Sequence, residues 1–201
     1  MLDTQSLIDY GGLIIVFLVI YGQTGLFFCF FIPSGAFMFT AGVMIASGGL
    51  SYSFLPACGI LAAAAILGNI TGYLFGQKAG PLLYERPDSK FFKKEHIATA
   101  ESFYEKWGGP ALAVGLFLPI IRTFAPIVSG MIELNFRRFM LYISIGSIAW
   151  VSSFLLAGYL LGSRPEFKPY LEYIVIGIIV VVTIPVVVRI VKEFKNGGEK
   201  Q

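Results

Sequence analysis

Arg122 is the one charged residue between Lys106 and Glu133, in the run Leu118-Pro119-Ile120-Ile121-Arg122-Thr123-Phe124-Ala125-Pro126. A cation at hydrocarbon depth is disfavoured by roughly 2.5–3.5 kcal/mol on insertion scales, so an arginine there is a functional candidate with an anionic partner to be found. Its planar guanidinium can grip a phosphate or carboxylate through parallel N–H donors, which a lysine's point charge matches less well. A phosphate ligand is one reading. In the other, Arg122 ties hairpin carbonyls together or snorkels to the inner interface. Thr123, Ser129, Ser34 and Thr40 supply neutral hydroxyls, and Gly35, Gly42 and Gly130 permit close backbone approach. Pro33, Pro119 and Pro126 interrupt the same segments, and two prolines flanking Arg122 argue against an unbroken helix there. Asn69 and Tyr73 join the candidate contacts, with an interhelical hydrogen bond as the alternative role for Asn69.

Other chemistries lack their residues. His96 is the single histidine, so a histidine metal cluster or a hydrolase triad cannot be assembled within one chain. Cys29 and Cys58 lie in apolar runs without CxxC spacing and read as packing residues, leaving no metal site and no cofactor expected. Glu133 is the nearest acid to Arg122, and no acid occurs between Asp9 and Glu85, so an intramembrane proton relay has no evident carrier. The membrane segments also lack a paired nucleophile and base, so no enzyme is expected.

The elements that position these residues belong to a membrane. Of 201 residues, 56% are hydrophobic and 13% charged, and mean hydropathy is +0.77. No charge occurs between Tyr10 and Gln77, enough chain for two or three crossings at about 20 residues each. The net charge of +3 is modest and no nucleic-acid partner is expected. The amino-terminal stretch Met1–Asp9 has no basic residue, so the first helix is expected to act as an uncleaved anchor.

Apolar segments run from about Gly12 to Tyr21, Leu26 to Ala46, Phe54 to Phe75, Ala111 to Met131, Phe139 to Leu161 and Tyr170 to Val188. Those at Phe54, Phe139 and Tyr170 are long enough to cross, whereas 26–46 and 110–131 carry Pro and Gly near their middles and read as re-entrant hairpins. Phe31-Ile32-Pro33 pairs with Phe117-Leu118-Pro119, and Gly72-Tyr73-Leu74-Phe75-Gly76 with Gly158-Tyr159-Leu160-Leu161-Gly162, both at an offset of 86 residues. Interrupted segments in corresponding halves point to a transporter site at a repeat interface.

Basic residues in Lys78–Lys106 and after Arg189 place that loop and the carboxy terminus in the cytoplasm, which sends the two hairpins in from opposite leaflets. The expected fold is an all-α polytopic membrane protein forming one domain over residues 1–201. It contains an inverted repeat with two opposed re-entrant helical hairpins, repeat one at about 12–80 and repeat two at about 110–162. An amphipathic cytoplasmic helix is expected over 89–107, lying in the headgroup layer or packed on the helix ends. A final transmembrane helix is expected over 170–190.

The chain resembles the DedA family of membrane proteins, also described by the VTT or SNARE-associated domain. The residues that carry the resemblance are Phe31-Ile32-Pro33-Ser34-Gly35 with Thr40-Ala41-Gly42, then Leu67–Pro81, and most specifically Phe117–Pro126 through Gly130-Met131, Arg138-Phe139, Tyr142, Gly146 and Trp150. The resemblance implies an inverted-repeat protein of the bacterial cytoplasmic (inner) membrane that moves polyprenyl phosphate carriers or phospholipids between leaflets, as a flippase or scramblase. The partners implied are membrane lipids, a polyprenyl phosphate or an anionic phospholipid, with a homo-oligomer the further partner to consider. The candidate substrate contacts are Arg122, Thr123, Pro119, Pro126, Pro33, Ser34, Gly35, Asn69 and Tyr73. The chain departs from the family where charges are usual: Gln23 ahead of the first hairpin, Gly35 after its proline, Leu116 in place of a first arginine, Gln77 for a basic residue and Ile143 for an asparagine. These losses favour anion capture over proton coupling. They also keep open a non-transporting envelope binding or assembly protein of the same fold.

Overall fold

The computed structural model describes residues 4–26, 33–84 and 108–170, with positions 173, 174, 176, 177 and 180 beyond them. These form six α-helices: α1 Thr4–Gly25, α2 Ser34–Ala46, α3 Phe54–Tyr84, α4 Pro110–Gly115, α5 Pro119–Met131 and α6 Phe136–Gly162, followed by a 3₁₀ turn at Pro165–Tyr170. No strand occurs among the described residues. The amphipathic helix expected over 89–107 lies outside the described residues, as does most of the span expected over 170–190. The five described positions beyond Tyr170 are helical.

Among the described residues, two helices are long and apolar enough to cross a membrane, Phe54–Gly80 within α3 and Phe136–Gly162. At about 1.5 Å per residue, each 27-residue segment extends about 40 Å. In α6 the buried positions Phe139, Ile143, Gly146, Trp150, Val151, Leu155 and Gly158 follow a helical stripe, yet the opposite side carries exposed Leu141, Ile145, Ile148 and Leu160. A helix apolar on every side is suited to a hydrocarbon surround rather than to water.

The short helices explain why the remaining apolar segments do not read as straight spans. α2 and α5 have 13 residues each, about 20 Å, too short to cross. Pro119 opens α5 as its first residue, after an extended Leu118 (φ −99°, ψ 117°), so the break expected near this proline is present. Pro126 does not end the helix, contrary to the expectation from the sequence: α5 runs through it to Met131. Because proline has no N–H, the carbonyl of Arg122 loses its usual donor four residues on, while the helix beyond re-forms its ladder.

The span expected from Phe139 begins three residues earlier. Asn135 caps α6, its side chain accepting from the backbone N–H of Arg137 at 3.1 Å and of Arg138 at 3.3 Å.

Packing is reciprocal between the halves. α2 lies against α6, and α5 against α3. Both contacts are glycine-lined. A Cβ at Gly42 would strike the backbone of Leu155 and Tyr159, and one at Gly158 the carbonyl of Phe39. Likewise, a Cβ at Gly76 would strike the carbonyl of Ile127, and one at Gly130 that of Tyr73. Small residues let backbones meet where hydrophobic transfer supplies no force between helices.

Candidate functional site

Gln23 sits near the end of α1 and Ser34 at the start of α2, which places both at one end of this helix pair. Arg122 rises from the first turn of α5, its N–H bonded to the carbonyl of Leu118 at 2.9 Å. Its Nη2 donates to Gln23 Oε1 and, at 2.9 Å, to Ser34 Oγ. Its Cζ lies 3.6 Å from the centre of the Trp150 ring on α6. Four helices thus meet on one guanidinium, which is 5% exposed.

The partners in this arrangement are neutral. A buried arginine held by an amide oxygen, a hydroxyl and an indole face keeps its positive charge uncancelled by them. Arg122 Nε is buried without a hydrogen-bond partner among the described residues. Leaving such an N–H unmade costs about 1–3 kcal/mol, and more for a charged group. The stacking on Trp150 offsets part of this, since a desolvated cation–π contact contributes about 2 kcal/mol. Chemically, the arrangement is a buried guanidinium held by neutral internal acceptors, with donors that an anion can accept from.

The other candidates divide by location. Thr123 (1% exposed) is buried beside Arg122 in sequence, and Pro126 packs against Gly72, where an added Cβ would meet the proline Cβ at 3.3 Å. Pro33 precedes α2, its carbonyl accepting from Ala36 N–H at 2.9 Å, and Pro119 is the first residue of α5. Gly35 faces Phe154, whose Cε1 would lie 2.9 Å from an added Cβ. Ser129 Oγ turns back to the carbonyl of Ala125 at 2.7 Å, and Thr40 is half-buried on α2.

Asn69 and Tyr73 serve other contacts. Asn69 Nδ2 donates to the carbonyl of Ala65 (2.8 Å) and to Ser147 Oγ (3.3 Å), an interhelical bond, while its Oδ1 is buried and unpartnered among the described residues. Ser147 stands one helical turn before Trp150, so the hydrogen bond from Asn69 joins the helix that carries Trp150 and makes no direct bond to Arg122. Tyr73 OH donates to the carbonyl of Leu134 at 2.6 Å, and its ring packs on Phe139 and Phe136 with centroids 4.6 and 5.4 Å away. It clamps the turn between α5 and α6, where Glu133 takes a left-handed φ of 50°.

Leu116 and Ile143, at positions where charged or polar residues were the comparison, are buried in one apolar cluster with Tyr73 and Phe139. Cys58 Sγ lies 3.2 Å from Ser152 Oγ, and Cys29 lies outside the described residues. Among the described residues no group of three His, Cys, Asp or Glu side chains could hold a metal.

The contacts least visible in the sequence are Gln23 and Trp150. Gln23 is a neutral amide in a long uncharged run, and Trp150 is an aromatic in an aromatic-rich chain. Neither type signals an arginine partner by itself.

A VTT domain model matches residues 32–160. Protein DedA of Escherichia coli (strain K12) is 35% identical over 178 residues, covering 89% of this chain and 81% of that protein. An uncharacterized membrane protein of Mycobacterium tuberculosis (strain ATCC 25618 / H37Rv) is 34% identical over 187 residues, covering 92% of this chain and 79% of that protein. Inner membrane protein YqjA of Escherichia coli (strain K12) is 28% identical over 156 residues, covering 78% and 70%. No solved structure matches the chain.

Proposed function

This chain belongs to the DedA family of VTT-domain membrane proteins, and we propose that it carries a phosphate-bearing lipid between the leaflets of a bilayer, as a flippase or scramblase. The observation that carries this reading is Arg122: a guanidinium 5% exposed, centred between four helices and, among the described residues, hydrogen-bonded through Nη2 to two neutral oxygens. A lipid phosphate offers it charged acceptors. The bonds to Gln23 and Ser34 are already charged on the arginine side; a phosphate adds the opposite charge on the acceptor and a bidentate geometry, and opposite charges attract strongly in a buried site, so phosphate oxygens outcompete Gln23 and Ser34 for the same N–H groups.

The movement follows from the same exchange. With Gln23 and Ser34 on Arg122, the ends of α1 and α2 are drawn to α5 and α6, and the charge is enclosed. When a phosphate replaces them, this tie between the halves is released. We take α2 and α5, with the chain leading into each, as the inner arms of two re-entrant hairpins related by an inverted repeat. The support is the 86-residue offset together with the reciprocal packing of α2 on α6 and α5 on α3. No covalent step is proposed, and with neutral Gln23, Gly35 and Leu116 near or at family charge positions the movement is uncoupled from protons.

A bacterial inner membrane is the proposed location, supported by the similarity to inner membrane protein YqjA, with the carboxy terminus cytoplasmic on the basic residues from Arg189 onward. The lipid is a polyprenyl phosphate or an anionic phospholipid. A second reading, a non-transporting envelope binding or assembly protein, draws on the enclosure of Arg122: its internal partners could hold the fold shut permanently. Leaflet exchange of a fluorescent or radiolabelled lipid phosphate in proteoliposomes separates the two. Exchange above that of protein-free liposomes supports transport, and exchange equal to it supports the second reading.

A further inference from the structure

An apolar groove of about 270 Å³ lies between α1 and α2, lined on one side by Gly12 and Val16 and on the other by Ala36, Thr40 and Met44, with Leu50 closing its far end. Its size is near the lower end of small-ligand pockets, about 300–1,000 Å³, which suits one chain segment rather than a whole lipid. It does not include Arg122. Its direction is the informative feature. Gly12, Val16 and Gln23 share a face of α1 at spacings of four and seven residues, so Gln23 lies on the groove's own line, about 10 Å beyond Val16. On α2, Thr40 and Met44 follow Ser34 by six and ten residues, about 9 and 15 Å along the axis. The α1 wall therefore leads to Gln23, while on α2 the groove face is turned about 80–120° from Ser34 and runs toward the same end of the helix.

We propose that this groove seats one hydrocarbon chain of the lipid whose phosphate reaches Arg122, a subsite that rests on the headgroup reading above. Moving a chain from bilayer hydrocarbon into an apolar groove yields little hydrophobic free energy, because lipid tails are as apolar as the lining. The groove acts through shape: it aligns the chain along α1 and α2 while the headgroup stands at Gln23 and Ser34. Thr40 is half-buried, and Phe37 and Met44 are 38% and 36% exposed, so a chain can enter sideways among the described residues.

The experiment is photolabelling of the full chain in nanodiscs of zwitterionic lipid, using an alkyl phosphate with a mid-chain diazirine and locating the label by mass spectrometry. The expected result is label on Val16, Thr40 and Met44 that is lost in Thr40→Trp, and in Met44→Trp as a second groove-filling variant. Label spread evenly over outward residues such as Leu18, Leu141 and Ile145, unchanged by either tryptophan, overturns the groove. Crosslinks between two copies through the groove also overturn it, since a second chain is then the occupant. Arg122→Gln separates the two readings. Groove label that survives Arg122→Gln supports the groove and overturns the headgroup contact. Label that depends on Arg122 but lies elsewhere overturns the groove and leaves the headgroup contact standing.

Discussion

Arg122 Nη2 donates to Ser34 Oγ at 2.9 Å across 88 residues of chain, joining the first turns of two short helices, α5 and α2. The bond is buried and one partner is a cation, so its removal is felt twice. Ser34→Ala leaves the arginine with one neutral acceptor fewer, and the ligand-free protein is expected to lose about 1–3 kcal/mol of stability. The same change removes a competitor for phosphate. Thermal unfolding in detergent should show a lower midpoint for Ser34→Ala without ligand and a larger rise on adding an alkyl phosphate. An unchanged rise contradicts the competition.

Trp150 supports the guanidinium by its ring face, 3.6 Å from Cζ. Trp150→Phe keeps a smaller aromatic face and Trp150→Leu keeps none. With about 2 kcal/mol at stake in a desolvated cation–π pair, Trp150→Leu is expected to weaken alkyl phosphate binding by about tenfold or more, and Trp150→Phe by less. Binding by a fluorescent lipid phosphate measures both; equal losses in the two variants contradict a role for the aromatic face.

Tyr73 is placed by its bond to the carbonyl of Leu134 as a clamp on the α5–α6 turn. Tyr73→Phe is expected to cost about 1 kcal/mol in stability while leaving lipid phosphate affinity near that of the wild type. A large loss of affinity with unchanged stability would return Tyr73 to the ligand.

Reciprocal helix packing makes a paired prediction. Gly42→Val drives a side chain into the α6 backbone and Gly130→Val into the α3 backbone, whereas a Cβ at Gly22 meets nothing within 4 Å. Overpacking costs typically 1–3 kcal/mol, and more where backbone must move. Both valine variants should lower the unfolding midpoint or abolish a monodisperse peak on size exclusion, with Gly22→Ala close to wild type. A Gly42 variant as stable as wild type would contradict the glycine contact of α2 with α6.

What the sequence disclosed follows from which signals are local. The break before Pro119 is legible because proline opens a helix readily and restricts the residue ahead of it, here an extended Leu118. The apolar faces of α3 and α6 are legible from composition. Pro126 misleads, because a proline inside a helix removes one hydrogen bond without ending it when packing against Gly72 and α3 holds the segment. The start of α6 shifts to Phe136 because Asn135, not hydropathy, decides it. Within the site, Arg122 announces itself by charge. Gln23 does not, since nothing local links an amide to an arginine 99 residues away. Ser34 was legible as a hydroxyl at a helix break, but not as the residue that bonds the cation.

In the proposed function Arg122 is the receptor of the lipid phosphate. Leaflet exchange of a labelled lipid phosphate should be measured in proteoliposomes holding equal amounts of wild type, Arg122→Lys and Arg122→Ala. Wild type is predicted to exchange fastest, Arg122→Lys to fall by about tenfold or more for want of the planar fork, and Arg122→Ala to match protein-free liposomes. Equal exchange by wild type and Arg122→Ala would contradict the claim.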